Sequence, residues 1–264
     1  MSNKKDTFSS TLLVVFAVCL VCSVIVAGAA VGLRPMQIAN KALDKQKNIL
    51  AVAGVESDKS ATEIFESNIQ TKVIDLKTGL FVDSINGKEI DAAKYDQRAA
   101  AKDPATSIKL SAGDNIAKIG RRANFATVYL VYSDENKLQR VILPVHGSGL
   151  WAQMYSFIAL EADGNTVASL TYYEHGETPG LGGEITNPRW RALWVGKQML
   201  DGQGNPALKV IKGQAPKGDL HKVDGLSGAT LTSNAVQHAY TFWLGKKGFG
   251  PFLKRVREGE LNNG

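Results

Sequence analysis

The chain carries an uncharged stretch from Thr7 to Leu33 whose core, Thr11 to Leu33, is almost wholly apolar. As a helix this core spans about 34 Å, enough to cross the hydrocarbon of a bilayer. Met36, Ile38, Ala39, Ala42, Leu43, Ile49 and Leu50 then recur at helical spacing among lysines. That pattern predicts a juxtamembrane helix over residues 35–53, which continues the anchor or packs on a domain. Residues 56–114 are mixed, with a strand over Lys72–Leu76, a turn at Asn86-Gly87 and a charged, alanine-rich passage at 91–103. Two hairpins follow. Ala126–Tyr132 and Leu138–Val145 flank the polar residues 133–137, and Ser156–Glu161 and Thr166–Glu174 flank Ala162-Asp163-Gly164-Asn165. Their strands are β-branched or aromatic and their loops hold turn formers. A helix from Pro188 to Gln198, a strand over Ala207–Ile211 and a helix from Asn234 to Leu244 complete the pattern. Asn234 and Gln237 have the spacing of a capping box at the start of that last helix.

The predicted fold is α+β: a single N-terminal transmembrane helix and one mixed α+β domain with antiparallel hairpins. The expected boundaries are an N-terminus at 1–10, the transmembrane helix at 11–33, a juxtamembrane helix and tether at 34–70, the domain at 71–245 and a basic tail at 246–264.

With 264 residues, 44% hydrophobic and 21% charged, the chain can bury one substantial core and shows no signature of disorder. A cleaved signal peptide is the competing reading of the N-terminus, with Lys4 and Lys5 as its basic region and Ala27-Gly28-Ala29 as its cleavage site. The length of the apolar run favours a retained anchor. Basic residues lie on both sides of the run, so charge alone does not orient it. The formal net charge of +6 is spread along the chain, with one concentration at Lys246, Lys247, Lys254, Arg255 and Arg257. No nucleic-acid motif accompanies it, which argues against nucleic acid and leaves a solvated tail or one that meets lipid headgroups or an acidic partner. Cys19 and Cys22 both fall inside the apolar run and read as small packing residues. His146, His175, His221 and His238 lack the spacing of a metal site or a catalytic triad, and no nucleophile–base pair stands out.

The chemistry concentrates in two segments. Asp224-Gly225-Leu226-Ser227-Gly228-Ala229-Thr230 ends just before the helix expected from Asn234, so hydroxyls of Ser227, Thr230 and Thr232 lie near helix-start amides, an arrangement that suits a phosphate. Gly228 and Ala229 allow close backbone approach. Taken alone, such a stretch reads as an ordinary helix entrance. The second segment, Glu177-Thr178-Pro179-Gly180-Leu181-Gly182, follows a strand as a loop whose turn Pro179 fixes and whose glycines permit backbone conformations closed to other residues, so that Leu181 would be presented to a ligand. His146-Gly147-Ser148-Gly149-Leu150-Trp151 is a further glycine-rich turn, whose Trp151 either covers a pocket or packs in the core. Lys212, just after a strand, either neutralises negative charge in such a site or is solvated. Asp224 repels phosphate and is expected to act as a structural cap, or to hold a basic group or metal during maturation.

In order and without gaps, the two segments resemble the paired signatures of the bacterial FMN-binding domain family, Asp-Gly-x-Ser/Thr-Gly-Ala-Thr and Glu-Thr-Pro-Gly-Leu-Gly. The layout is most similar to the C-subunit family of sodium-translocating NADH:quinone oxidoreductases, and the G subunits of Rnf-type electron transport complexes share both motifs. The resemblance implies FMN joined to Thr230 through a phosphoester, installed by a flavin transferase that uses FAD. Ser227, Gly228, Ala229 and Thr232 would surround the phosphate; Glu177, Thr178, Leu181, Gly182, Trp151 and Lys212 would contact the flavin, with Glu177 and Thr178 hydrogen-bonding ring or ribityl groups. It further implies an electron-relay subunit of a sodium-pumping NADH:ubiquinone reductase in a bacterial inner membrane, with other subunits as partners, a cytoplasmic N-terminus and a periplasmic flavin domain. A membrane-tethered protein that captures a phosphorylated ligand reversibly is the reading from a different class.

Overall fold

The computed structural model describes residues 8–55, 60–85, 87–133 and 135–261, so Lys4, Lys5, Glu56, Asn86 and Asp134 lie outside the described residues. The chain divides into two compact units, Met1–Lys45 and Gln46–Gly264. Helix α1 runs unbroken from Phe8 to Ala53 with Pro35 inside it. In the first unit it is long and apolar enough to cross a membrane, and none of its apolar window is buried. The apolar run and the helix expected over 35–53 are therefore one element.

The second unit begins before residue 71, the expected boundary. Ile49, Leu50, Val52 and Ala53 are buried, and they pack with Ile64 of α2 (Ala61–Asn68) and Ile69 at the start of β1 (Ile69–Asp75). Ser60 and Glu63 form a reciprocal capping box that starts α2. After β1 come the short pair β2 (Ser84–Ile85) and β3 (Lys88–Glu89), helix α3 (Gln97–Lys102) and the pair β4 (Ser107–Lys109) and β5 (Arg121–Ala123).

The expected hairpins form β6 (Phe125–Tyr132) with β7 (Leu138–Ser148), and β8 (Gln153–Glu161) with β9 (Val167–Glu174). Among the described residues these join β1 in a five-stranded antiparallel sheet of order β1-β6-β7-β8-β9. Its strands read as nearly continuous apolar runs because both faces are covered. Along β6, Ala126, Val128 and Leu130 enter the larger core, whereas Tyr129 and Val131 face the Ile49–Ala53 cluster.

The larger core is closed by α4 (Pro188–Ala192), α5 (Thr230–Leu244) and α6 (Gly250–Arg257). A parallel pair, β10 (Lys209–Ile211) and β11 (Lys222–Asp224), precedes α5. Gly147 of β7 lets α5 approach closely, since a Cβ there would lie 2.7 Å from the Ala239 methyl.

Three expectations are corrected. Helix α4 stops at Ala192, short of Gln198, and the following turn buries Trp194. Helix α5 starts at Thr230, not Asn234, and the Asn234–Gln237 capping box does not form, because the Gln237 side chain accepts a hydrogen bond from the Val210 amide at 3.0 Å. Residues 246–261 are not a solvated basic tail: Phe249, Phe252, Leu253, Val256 and Leu261 are buried, while Lys254 and Arg257 remain outside. Lys247 pairs with Asp114, and Arg255 donates to the Gly79 carbonyl at 2.9 Å.

Candidate functional site

The segment Asp224–Thr230 is held by its backbone and by α5. Gly225 donates to the Ile211 carbonyl at 2.6 Å, where a Cβ would stand 2.4 Å from that oxygen, so only glycine fits. The Leu226 amide donates to the buried Ser233 hydroxyl at 2.9 Å. Asp224 accepts from the Ala215 amide at 2.8 Å, and its carbonyl accepts from the Trp190 indole at 2.8 Å. Its side chain thus ties the turn to the loop at residue 215, and Asp224 also lines the cleft beside the turn. Gly228 turns the chain with φ of 72°, a conformation that costs other residues roughly 1–2 kcal/mol. Ala229 is the N-cap of α5 and offers no side-chain acceptor. The amides of Thr230, Leu231 and Thr232 therefore have no partner within the helix or from its cap.

A cleft of about 430 Å³ opens beside this turn. Ser227, Gly228 and Thr230 line it together with Lys212, Gly213, Gln214 and Asn234. Ser227, Thr230 and Lys212 are exposed, so two hydroxyls, an ammonium group and a helix start share one accessible space. Sequence reasoning misses Gln214 and Asn234. Asn234 has a usable signal, since it lies four residues after Thr230 on the same helical face; Gln214 has none.

The Glu177–Gly182 loop does not line this cleft. It meets the turn from the side: Leu181, 45% exposed, has its Cδ2 3.2 Å from where a Cβ on Gly228 would sit. The Thr178 carbonyl accepts from the Leu181 and Gly183 amides, and its side chain is exposed. Glu177 is buried, 4% exposed. One carboxylate oxygen accepts from the amides of Leu150 and Trp151 at 2.9 and 3.1 Å, and the other accepts from the Thr232 hydroxyl at 2.5 Å. Its own amide donates to His175 Nδ1 at 3.2 Å, making His175 a turn histidine.

The Glu177 and Thr232 side chains are thus engaged with each other and with the 150–151 turn, and neither lines the cleft. Gly182 serves packing: a Cβ there would come within 2.7 Å of both Glu177 and Thr232. Trp151 is 71% exposed, which excludes the core role. Leu150, Trp151, Leu181 and Leu231 are all exposed apolar side chains on segments tied through Glu177 or adjoining Gly228. A phosphate-favouring turn beside exposed apolar groups suits a ligand with an anionic end and a flat apolar portion.

Known proteins are similar to this chain in sequence and in fold. A sequence model described as the FMN-binding domain matches residues 149–245. The chain is similar to the C subunit of the Na(+)-translocating NADH-quinone reductase of Vibrio anguillarum, 57% identical over 262 residues that cover 99% of this chain and 100% of that one. It is also similar to the crystal structure of Shewanella oneidensis NqrC, with a TM-score of 0.76 and 39% identity over 83% of this chain and 99% of that chain. The crystal structure of the corresponding reductase component from Parabacteroides distasonis aligns with a TM-score of 0.65 and 26% identity over 84% and 96%. Full-length similarity of this kind separates the two flavoprotein families that share the motifs, and the chain belongs to the family of Na(+)-translocating NADH-quinone reductase C subunits.

Proposed function

We propose that this chain carries FMN covalently on Thr230 and relays electrons from NADH towards ubiquinone within a sodium-pumping membrane complex. The reading rests on the exposed Thr230 hydroxyl at the first position of α5, in one cleft with Lys212 and Ser227. FMN, when bound, supplies one- and two-electron redox chemistry. The remaining work belongs to the chain. Thr230 becomes the anchor: its Oγ–phosphorus bond forms as the pyrophosphate bond of FAD breaks under a flavin transferase, and the hydroxyl proton leaves with AMP. The helix-start amides and Lys212 neutralise the phosphodiester that remains. Leu181, Leu231 and Trp151 offer apolar faces to the ring and exclude water from it.

The apolar part of α1 anchors the domain, with the N-terminus cytoplasmic and the flavin domain periplasmic, in a bacterial inner membrane. A single span has no room for an ion path, so sodium crosses through other subunits. Mass spectrometry of the denatured chain, purified from cells that co-express a flavin transferase, tests the reading. An adduct of roughly 438 Da on the Thr230 peptide is expected for an FMN phosphoester. Its absence, with the transferase active on another substrate, leaves reversible capture of a phosphorylated ligand as the better account.

A further inference from the structure

The Glu177 carboxylate stands where three segments meet. Its two oxygens take three hydrogen bonds, from Leu150 N, Trp151 N and Thr232 Oγ. Glycines close the space around it: a Cβ on Gly149 would lie 2.4 Å from one oxygen, and a Cβ on Gly182 2.7 Å from the other. A carboxylate has about four acceptor sites. With three filled and the side chain buried, Glu177 is not placed to reach into the cleft as a ligand group.

On one side the carboxylate holds the turn that displays Leu150 and Trp151; on the other it holds Thr232, two residues beyond Thr230 in the same helical turn. We infer that Glu177 is a positioning residue that fixes the apolar, ring-facing turn at 150–151 against the phosphate-facing start of α5, and does so without touching the flavin. The inference rests on the proposed attachment of FMN to Thr230. A ligand with a rigid ring and an anchored phosphate needs both ends of its site at a set separation, and displacements near 1 Å can be costly to a transfer reaction. Among the described residues, no other hydrogen bond joins the 150–151 turn to the first turn of α5.

Substitution separates positioning from contact. In Glu177→Gln the amide oxygen still accepts from the two backbone amides, and its NH2 donates to Thr232 Oγ, so the tie survives while the charge is lost. Glu177→Ala removes the tie. Thr232→Val cuts one arm and leaves the other, and Thr232→Ser keeps both. The full-length chain, co-expressed with limiting flavin transferase, is followed by the occupancy of the Thr230 peptide, the visible flavin spectrum and fluorescence of the loaded fraction, and thermal melting.

Glu177→Gln and Thr232→Ser are expected to load within about twofold of the parent rate, whereas Glu177→Ala and Thr232→Val load about tenfold more slowly. The loaded fraction of the last two should fluoresce more strongly, because Trp151 no longer sits over the ring. Folded Thr232→Val or Glu177→Ala chains that load at the parent rate with the parent spectrum overturn the proposal. So does a Glu177→Gln chain as defective as Glu177→Ala, which would place the carboxylate charge against the flavin or the transferase. If Glu177→Ala does not fold, Thr232→Val decides. A parent chain without adduct removes the attachment reading first, and this role for Glu177 with it.

Discussion

The Thr232 hydroxyl donates to the Glu177 carboxylate at 2.5 Å in a buried setting, across 55 residues of sequence. This bond joins the Glu-Thr-Pro-Gly-Leu-Gly loop to the helix that begins at Thr230, so two motifs that look like separate contacts to one ligand are first of all contacts to each other. Thr230, two residues earlier, is left exposed beside the cleft.

Because Thr230 is exposed at the first helical position, with no helix-capping role for its side chain, Thr230→Val should change stability by no more than about 0.5 kcal/mol. Covalent flavin should vanish, and Thr230→Ser should retain it. Ultraviolet fluorescence of the band after denaturing electrophoresis reads this directly. A fluorescent Val variant would place the attachment elsewhere.

Gly228→Ala forces a Cβ onto a residue at φ of 72° and brings it 3.2 Å from Leu181 Cδ2. The strain of roughly 1–2 kcal/mol should lower the melting temperature by about 2–8 °C. Flavin loading should slow as well, since Leu181 and the turn move together. An unchanged melting curve would mean that the turn tolerates a side chain at this φ.

Truncation at the boundary expected from sequence, after Gly245, would strip Phe249, Phe252, Leu253 and Val256 from the core. The shortened domain should be insoluble or unfolded. The single change Phe252→Ala, at a fully buried ring, should cost about 3–5 kcal/mol in urea denaturation. A soluble, cooperatively folding chain ending at 245 would contradict the role given to α6.

His146 stacks on Tyr155 and contacts Trp243, and burial, helped by the charge of Arg98, depresses its pKa to about 4 from the usual 6.5. The folded state therefore resists protonation that the unfolded chain accepts. Stability from this group is complete above about pH 6.5 and is lost as the pH falls towards 4, levelling off below that at on the order of 3 kcal/mol. His146→Phe keeps the aromatic packing and removes the titration, so its melting temperature should fall less between pH 7 and 4.5 than that of the parent. Parallel pH curves for the two chains would assign the acid sensitivity to other groups.

Elements whose signals are local can be read from the residues alone. The apolar run of α1 needs only its own composition. The hairpins β6–β7 and β8–β9 are legible to within a few residues, because β-branched and aromatic runs on either side of polar turns are a short-range pattern. Thr230, Ser227, Gly228 and Lys212 stand out because they sit in or next to a turn, and they share the cleft.

Packing, in contrast, chooses the partner that each polar side chain takes. Asn234 and Gln237 have the spacing of a cap, but the Val210 amide of β10 holds Gln237, and Ser233 turns back to Leu226, so α5 begins four residues earlier. Thr232 and Glu177 have the chemistry of ligand contacts, yet each is satisfied by the other inside the protein. The charged C-terminal segment looks solvated until Phe252, Leu253 and Val256 are seen to close the core. Backbone propensity acts between neighbours in sequence, whereas the saturation of a buried hydrogen-bonding group and the covering of an apolar face depend on elements brought together only when the chain has folded.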